Sequence, residues 1–330
     1  MRVLVTGGAG YIGSVSVDVL LDAGHEVSVL DSLVTGHRAA VPARATLVEG
    51  SVLDGALVER TLRDRRIDAV LHCAARALVG ESVADPALYY RENVTGGVSL
   101  LDALRATGVE RIVFSSSAAV YGTPATTPIT EDAPLAPINP YGETKRALEA
   151  ALAVYATAYG LRSVALRYFN DCGATAERGE QHEPETHVLP NMLAAIESGR
   201  PMTIFGDDYP TADGTCIRDY IHVADLADAH LVALERTESA PPGHTPLNLG
   251  SGSGFSNRQL LEAAARVTGR PVPHEFGPRR PGDPAVLVAS NERAREVLGW
   301  QPRRSSLDEM VGSAWRWRQA HPRGYSSKSG

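Results

Sequence analysis

Arg2-Val3-Leu4-Val5-Thr6-Gly7-Gly8-Ala9-Gly10-Tyr11-Ile12-Gly13 stands at the head of the chain. Arg2 to Thr6 reads as a buried parallel strand. Glycines at 7, 10 and 13 follow, and Val15 to Ala23 then has the apolar spacing of a helix. In strand–turn–helix order, such glycines let backbone N–H groups at a helix N-terminus approach a pyrophosphate with no Cβ in the way. A second strand, Glu26 to Leu30, ends at Asp31, 18 positions beyond Gly13. An acidic residue there binds adenosine ribose hydroxyls and repels a 2′-phosphate, so NAD is expected over NADP, with Arg38 as the one dissenting charge. The bland alternative is an ordinary α/β turn with a solvated aspartate.

Outward from this stretch, strands and helices alternate. Ala45–Glu49 reads as a strand, Asp54–Asp64 as a helix, and Asp68–Cys73 as a strand breaking at Ala74 and Ala75. Small residues at a strand's carboxyl end suit close passage of a cofactor. His72 reads as a core histidine. Asp85–Thr107 is a long helix weakened at Gly96-Gly97, with Asn93 inside it. Arg111–Phe114 is a strand running into Ser115, Ser116 and Ser117, and Arg162–Arg167 is a sixth strand ending in Tyr168-Phe169-Asn170. The pattern predicts an α/β fold, a doubly wound parallel (Rossmann) sheet over residues 1–170. Residues 171–330 are expected to form a smaller α/β substrate-binding lobe, with parts near 218–250 returning to the first domain.

Composition narrows the function. A chain of 330 residues exceeds one ordinary core, and its 43% hydrophobic and 22% charged residues are globular values. A net charge of −7 without a basic run argues against nucleic acid. No stretch of about 18 apolar residues suggests a membrane span, and the N-terminus goes straight into a strand and not into a signal peptide. Cys73, Cys172 and Cys216 are odd in number and far apart, which gives no disulfide framework or metal spacing and fits a cytoplasmic location.

The chemistry lies in Tyr141-Gly142-Glu143-Thr144-Lys145. Tyr141 and Lys145 are four apart and share one helix face. A phenol of pKa about 10 is a poor base at neutral pH, and a nearby ammonium favours the phenolate. A serine at the end of the preceding strand can hold the oxygen whose proton the tyrosine takes. Alone, Tyr-x-x-x-Lys is usually a solvated helix face. Placed one loop after the serines, and downstream of the glycine turn, it reads as a proton-transfer device beside a hydride acceptor.

The second half is less legible. Asp171 to Glu185 reads as a loop and lobe boundary. Within it, Glu180-Gln181-His182-Glu183-Pro184-Glu185-Thr186-His187 has the composition of a metal cluster. Its spacing fits no helix face and Pro184 interrupts it, so no metal is expected. A helix (Val188–Ser198), a strand (Met202–Phe205), a turn (Gly206–Gly214), a helix (Asp225–Glu235) and a short strand (Leu247–Leu249) follow, with helices starting near Ser256, Asn291 and Ser306. Arg218 and Arg280 flank this lobe as two forks gripping a diphosphate would. The tail from Ser326 to Gly330 reads as disordered, and no internal repeat is apparent.

Taken together, the chain resembles the UDP-galactose 4-epimerases of the extended short-chain dehydrogenase/reductases over nearly its whole length. The matching blocks are Val5–Gly13, Val79–Ser82, Phe114–Gly122, Tyr141–Lys145, Leu166–Asn170, Ile204–Pro210 and Asp213–Val223. The first and fourth belong to the whole superfamily, and the last two are much more specific. The resemblance implies interconversion of UDP-glucose and UDP-galactose through a transient 4-keto sugar, with Ser117, Tyr141 and Lys145 catalytic and NADH held by the enzyme between steps. It places Gly7, Gly10, Tyr11, Ile12, Gly13, Asp31, Ser51, Val52, Ala74, Ala75, Asn93, Ser115, Tyr141, Lys145 and Tyr168 around NAD. It places Ser117, Tyr141, Asn170, His187, Val188, Thr203, Phe205, Arg218, Tyr220, Arg280 and Asp283 around the UDP-sugar. It also implies a homodimer through a four-helix bundle built from the helices around Ala87–Arg105 and Tyr141–Ala158.

Four positions depart from the pattern. Ala77, preceded by Arg76, stands where many relatives have a lysine near the cofactor phosphates. Ser51 replaces an aspartate beside the adenine, and His187 replaces an asparagine before Leu-x-Pro. Leu287 stands where a tyrosine or smaller residue gates acetamido sugars. UDP-N-acetylhexosamines and UDP-uronic acids are therefore alternative substrates. A 4,6-dehydratase would need an acid and a base directly after the serine, where this chain has Ala118 and Ala119. A non-catalytic NAD-binding regulator would be expected to have lost the serine, tyrosine or lysine, and all three are present.

Overall fold

The computed structural model describes residues 1–280 and 283–325; the expected disorder of the tail falls on 326–330, outside the described residues. The first half runs β1 (Arg2–Thr6), α1 (Tyr11–Asp22), β2 (Glu26–Asp31), β3 (Thr46–Glu49), α2 (Gly55–Asp64), β4 (Ala69–His72), α3 (Val79–Ala84), α4 (Pro86–Tyr89), α5 (Gly96–Thr107), β5 (Arg111–Ser117), α6 (Pro140–Tyr159) and β6 (Arg162–Tyr168). The second half runs β7 (Asn170–Cys172), α7 (Val188–Ser198), β8 (Met202–Phe205), β9 (Ile217–His222), α8 (Val223–Ser239), β10 (Gly243–Leu249), β11 (Gly254–Ser256), α9 (Asn257–Thr268), β12 (His274–Gly277), β13 (Val286–Leu287), α10 (Glu292–Leu298) and α11 (Leu307–Ala320).

Seven parallel strands form the main sheet in the order β10-β6-β5-β4-β1-β2-β3. Strand side chains alternate between faces, and here both faces are covered. Val3, Val5, Val29 and Leu71 pack with Leu226, Ala229 and Ala233 of α8. Leu4, Leu30 and Val70 pack with Leu100 and Leu104 of α5 and Leu148 and Leu152 of α6. The apolar runs of β1 and β4 therefore lack the polar alternation of a half-exposed strand.

Local chemistry sets the helix that carries the reactive pair. Asn139 caps α6, its Oδ1 accepting from Gly142 N at 2.9 Å, Pro140 begins it, and Gly160 ends it in the left-handed region. The long helix expected over Asp85–Thr107 is continuous but contains a π-helical turn at Tyr90–Thr95, just before the weakened Gly96-Gly97.

The chain does return to the main sheet. Strand β10 spans Gly243–Leu249, longer than the expected Leu247–Leu249. Pro246 hid its first half, and an edge strand tolerates that proline. Helix α8 starts at Val223, two residues before the expected Asp225 and capped by the His222 side chain, and runs to Ser239. The rest forms a four-stranded sheet around β9 and a β8–β12 pair. Helices α7, α9 and α11 share one core containing Leu189, Met192, Leu260, Ala264, Met310 and Val311. Strand β9, at the centre of the second sheet, was not foreseen, nor were β7, β11, β12 and β13; these four are two to four residues long, and partners distant in sequence define them. No helix among the described residues is long and apolar enough to cross a membrane.

Candidate functional site

Strand order reverses between β1 and β4, and ligands of open parallel sheets bind outside the strand ends at such a point. Gly7 sits there at φ +73°, where an added Cβ would lie 2.5–2.8 Å from the Ala74 and Cys73 backbone. A Cβ on Gly13 would collide with the Gly7 carbonyl. The glycine turn thus brings α1's N-terminus close to β4 and leaves a cradle that only glycines permit. Asp31 ends β2 beside it, accepting from Ala9 N at 2.9 Å and Leu33 N at 2.8 Å. Arg38 pairs with Glu49. A cavity of about 310 Å³ is lined by Gly7, Gly10, Asp31, Ser51, Val52, Ala74 and Ala75. These residues fit a dinucleotide.

A larger cavity of about 500 Å³ shares Gly7, Gly10, Cys73 and Ala75 with the first, so the two are continuous. Tyr11, Ile12, Gly13, Ser117, Tyr141, Lys145, Tyr168, Asn170, His187 and Val188 line it. Two expected cofactor residues stand behind its wall. Asn93 Oδ1 accepts from Arg76 N at 2.8 Å, and its Nδ2 donates to the Arg76 carbonyl and the Thr144 hydroxyl at 3.0 Å each. The Ser115 hydroxyl bonds to Cys73 and His230, while its carbonyl accepts from Lys145 Nζ at 2.7 Å.

Tyr141, Ser117 and Lys145 converge, but the electrostatics differ from the expectation. Burial pushes Tyr141 up to about 12, opposed by the Ser117 hydroxyl and reinforced by Asp171. Burial pulls Lys145 down to about 8. Its ammonium is aimed at the Ser115 carbonyl, 5.8 Å from the Tyr141 ring centroid. In this state Lys145 does not offset the desolvation of the phenol, so Tyr141 is protonated at neutral pH. Ala118 and Ala119 also line the cavity, in the positions where elimination would need proton-transfer groups.

At the far end, Arg280, Asp283, Tyr220 and Leu287 line the cavity. The Arg280 guanidinium lies 4.2 Å from the centroid of the Phe205 ring, which orients it. Arg218 is buried behind this end and donates to Asp283 at 2.5 Å. The Tyr220 hydroxyl is buried and has no hydrogen-bond partner among the described residues, so this wall presents an unsatisfied polar group. Thr203 lies on β8 opposite Glu275, outside the lining.

Several lining residues escaped the sequence reading. Asp171, pushed up to about 6 by burial and by Glu180, lies one position past Asn170. His37 and Tyr325, whose rings stack at 5.1 Å, also line the cavity. No local sequence signal marks Tyr325, which arrives from the last described turn. Glu180, His182, Glu185 and His187 share no helix face, yet their ligand atoms lie within 4.8 Å of one another. A loop converges them where a helix would not. Burial opposes the charge of both imidazoles, but Glu180 and Glu185 outweigh it and raise His182 to about 9 and His187 to about 11.

The profile of the NAD dependent epimerase/dehydratase family matches residues 3–250. The chain belongs to that family. Among relatives of this epimerase/dehydratase family member, the UDP-glucose 4-epimerase of Lactobacillus helveticus is 51% identical over 331 residues, covering 99% of this chain and 100% of the other. The crystal structure of UDP-glucose 4-epimerase from Brucella ovis in complex with NAD is similar at TM-score 0.92 and 49% identity, covering 95% of this chain and 97% of that one. The Bifidobacterium longum UDP-glucose 4-epimerase in complex with NAD+ and UDP is similar at TM-score 0.91 and 36% identity, covering 98% and 100%. Both full-length similarity and the parallel sheet agree with the expected fold and family.

Proposed function

We propose that this protein is an NAD-dependent isomerase that interconverts UDP-glucose and UDP-galactose by inverting C4. The carrying observation is one continuous cavity with Tyr141, Ser117 and Lys145 between a dinucleotide cradle and a guanidinium–tyrosine wall. The Lactobacillus helveticus and Brucella ovis relatives, 51% and 49% identical over nearly full length, support the same reading. NAD, when bound, accepts and returns the C4 hydride and brings a positive ring charge that favours the Tyr141 phenolate.

The chain's own residues do the rest. Tyr141 takes the C4 hydroxyl proton and later gives it back, while Ser117 holds that oxygen. Lys145 holds the nicotinamide ribose. Arg280, Asp283 and Tyr220, with Arg218 behind them, anchor the UDP half through charge-assisted bonds, leaving the hexose free to present either face of its 4-keto form. Asp31 reads the adenosine ribose. Residues 1–170 with α8 and β10 form the dinucleotide half, and the remainder forms the sugar-nucleotide half.

We assign a homodimer through α3 to α6, where Val83, Tyr90, Val154 and Tyr159 are 64%, 44%, 65% and 52% exposed. Three free cysteines are consistent with the cytoplasm. The test is conversion of UDP-galactose to UDP-glucose by purified protein without added NAD, beside the N-acetyl and uronic sugar nucleotides. Tyr141→Phe should lose roughly 10²- to 10⁴-fold in kcat while keeping its circular dichroism. Turnover of none of the sugar nucleotides by the wild type would overturn the proposal.

A further inference from the structure

The two halves of the chain meet again beside the glycine turn. The loop between β7 and α7 leaves the sugar-nucleotide half and runs along α1. There the Tyr11 hydroxyl donates to the Gly173 carbonyl at 2.6 Å, and Arg178 pairs with Asp18 at 3.3 Å. Farther on, His37 Nε2 stands 3.2 Å from the Gln181 carbonyl. His37 belongs to the dinucleotide half. Its backbone N–H donates to the Ala9 carbonyl of the glycine turn at 2.9 Å, and the preceding Thr35 and Gly36 line the dinucleotide cavity. Glu180 and Gln181 line the main cavity together with Gly7 and Gly10. Residues 173–181 thus form a strap from one half to the other, next to the helix N-terminus that suits a pyrophosphate.

Tyr325 holds this strap from the other side. Its hydroxyl accepts from Gly179 N at 2.9 Å and donates to the Gly179 carbonyl at 3.0 Å. Its backbone N donates to Gln181 Oε1 at 2.7 Å. Its ring stacks on His37 at 5.1 Å and meets the Trp317 ring of α11 at 5.3 Å. One phenol therefore bridges α11, which is rooted in the second core, to the segment that carries His37. Gly179 permits the approach, because a Cβ there would collide with the Trp317 ring. The proton transfer at Tyr141 uses neither Tyr325 nor His37.

We propose that Tyr325 and His37 form a latch that holds the Gly173–Gln181 strap against the glycine turn and slows the departure of NAD. Both are positioning residues that act through the strap. Retention matters because a cofactor that takes a hydride and returns it is not consumed, and losing NADH midway would leave a 4-keto sugar with no reductant. For the strap to swing away, the ring stack, the two hydroxyl bonds and the His37–Gln181 contact must break together. Lid segments of this kind commonly govern release. The inference rests on the NAD site of the proposed function and not on which sugar nucleotide is turned over.

The test follows NADH leaving the full-length protein, read as the change in its fluorescence on mixing with excess NAD. Tyr325→Ala should speed departure roughly 10- to 100-fold, the factor expected from two lost hydrogen bonds and one lost ring stack. Tyr325→Phe keeps the stack and should speed it roughly 3- to 10-fold. His37→Ala should speed it too, and His37→Ala/Tyr325→Ala should fall short of the product of the single effects, because both open one contact. Arg318→Ala breaks the pair that α11 makes with Glu197 at 2.6 Å. It should leave the rate unchanged, which separates the latch from a general loosening of α11. A Tyr325→Ala rate within about 3-fold of wild type overturns the proposal. So do fully multiplicative single effects, or an Arg318→Ala rate raised as far as that of Tyr325→Ala. Should the alanine variant fail to fold, an unchanged Tyr325→Phe rate overturns it. A wild type that binds no NADH overturns it together with the cofactor site. No sugar turnover is measured, so a failed latch leaves the epimerase reading untouched.

Discussion

Glu149→Gln tests how the reactive helix is held. Glu149 lies one turn past Lys145 on α6 and meets Arg167 of β6, with N–O distances of 3.0, 3.1 and 2.5 Å. Both side chains are 4% exposed. Arg167 also donates to the Tyr121 hydroxyl at 2.8 Å, and Ser116 donates to Glu149. Removing the carboxylate's charge leaves a guanidinium buried without its counter-ion, which costs about 3–5 kcal/mol. Against a total stability of about 5–15 kcal/mol, that is a large fraction. With an m-value of roughly 3 kcal/mol/M, the urea midpoint should fall by about 1 to 1.7 M. Glu149→Met/Arg167→Met should recover most of the loss, because replacing a whole buried pair by apolar groups is often neutral. A second readout is catalytic. Glu149 favours the charged form of Lys145, against burial that holds it near 8. Without that carboxylate, the Lys145 pKa falls further, and activity that needs the ammonium should be lost at lower pH on the alkaline limb. A midpoint within about 0.3 M of wild type, together with an unmoved alkaline limb, would refute this account.

Two further outcomes follow from the site's charges. Asp171, with its own pKa near 6, is an anion above that pH and disfavours the Tyr141 phenolate. Asp171→Asn should therefore move the rising limb of the kcat–pH profile to lower pH, and a shift upward or none at all counts against it. Asp31→Asn should cost about 10- to 150-fold in NAD affinity, the loss of a charge-assisted hydrogen bond of about 1.5–3 kcal/mol. NADP binding should change little. Equal losses for the two, measured by fluorescence titration, would remove Asp31 from the ribose.

The main sheet was legible because its strands are long, doubly buried and punctuated by glycines, so local pattern and tertiary environment agree. Tyr141, Lys145 and the serine strand could be read for the same reason, since one helix face and one strand end bring them together. The sense of the Tyr141 shift was not legible, because it depends on desolvation by residues far along the chain. The short strands β7, β11, β12 and β13 owe their existence to partners up to 72 residues away, which periodicity cannot register. The convergence of Glu180, His182, Glu185 and His187 was not legible, because a loop path and not a helical period brings them together. Tyr325 and His37 meet across nearly the whole chain, and neither carries a local signature.

Strand β10 has a bearing on how such a chain could be taken apart. Its seven residues pair with β6, so the sheet's outer border comes from polypeptide that has already visited the other half. Cutting after residue 170 would strip that border and bare a ladder of unpaired amides, an invitation to aggregation. The nucleotide cradle is thus not a transplantable cassette. Swapping it between homologues means carrying residues 223–249 along with it.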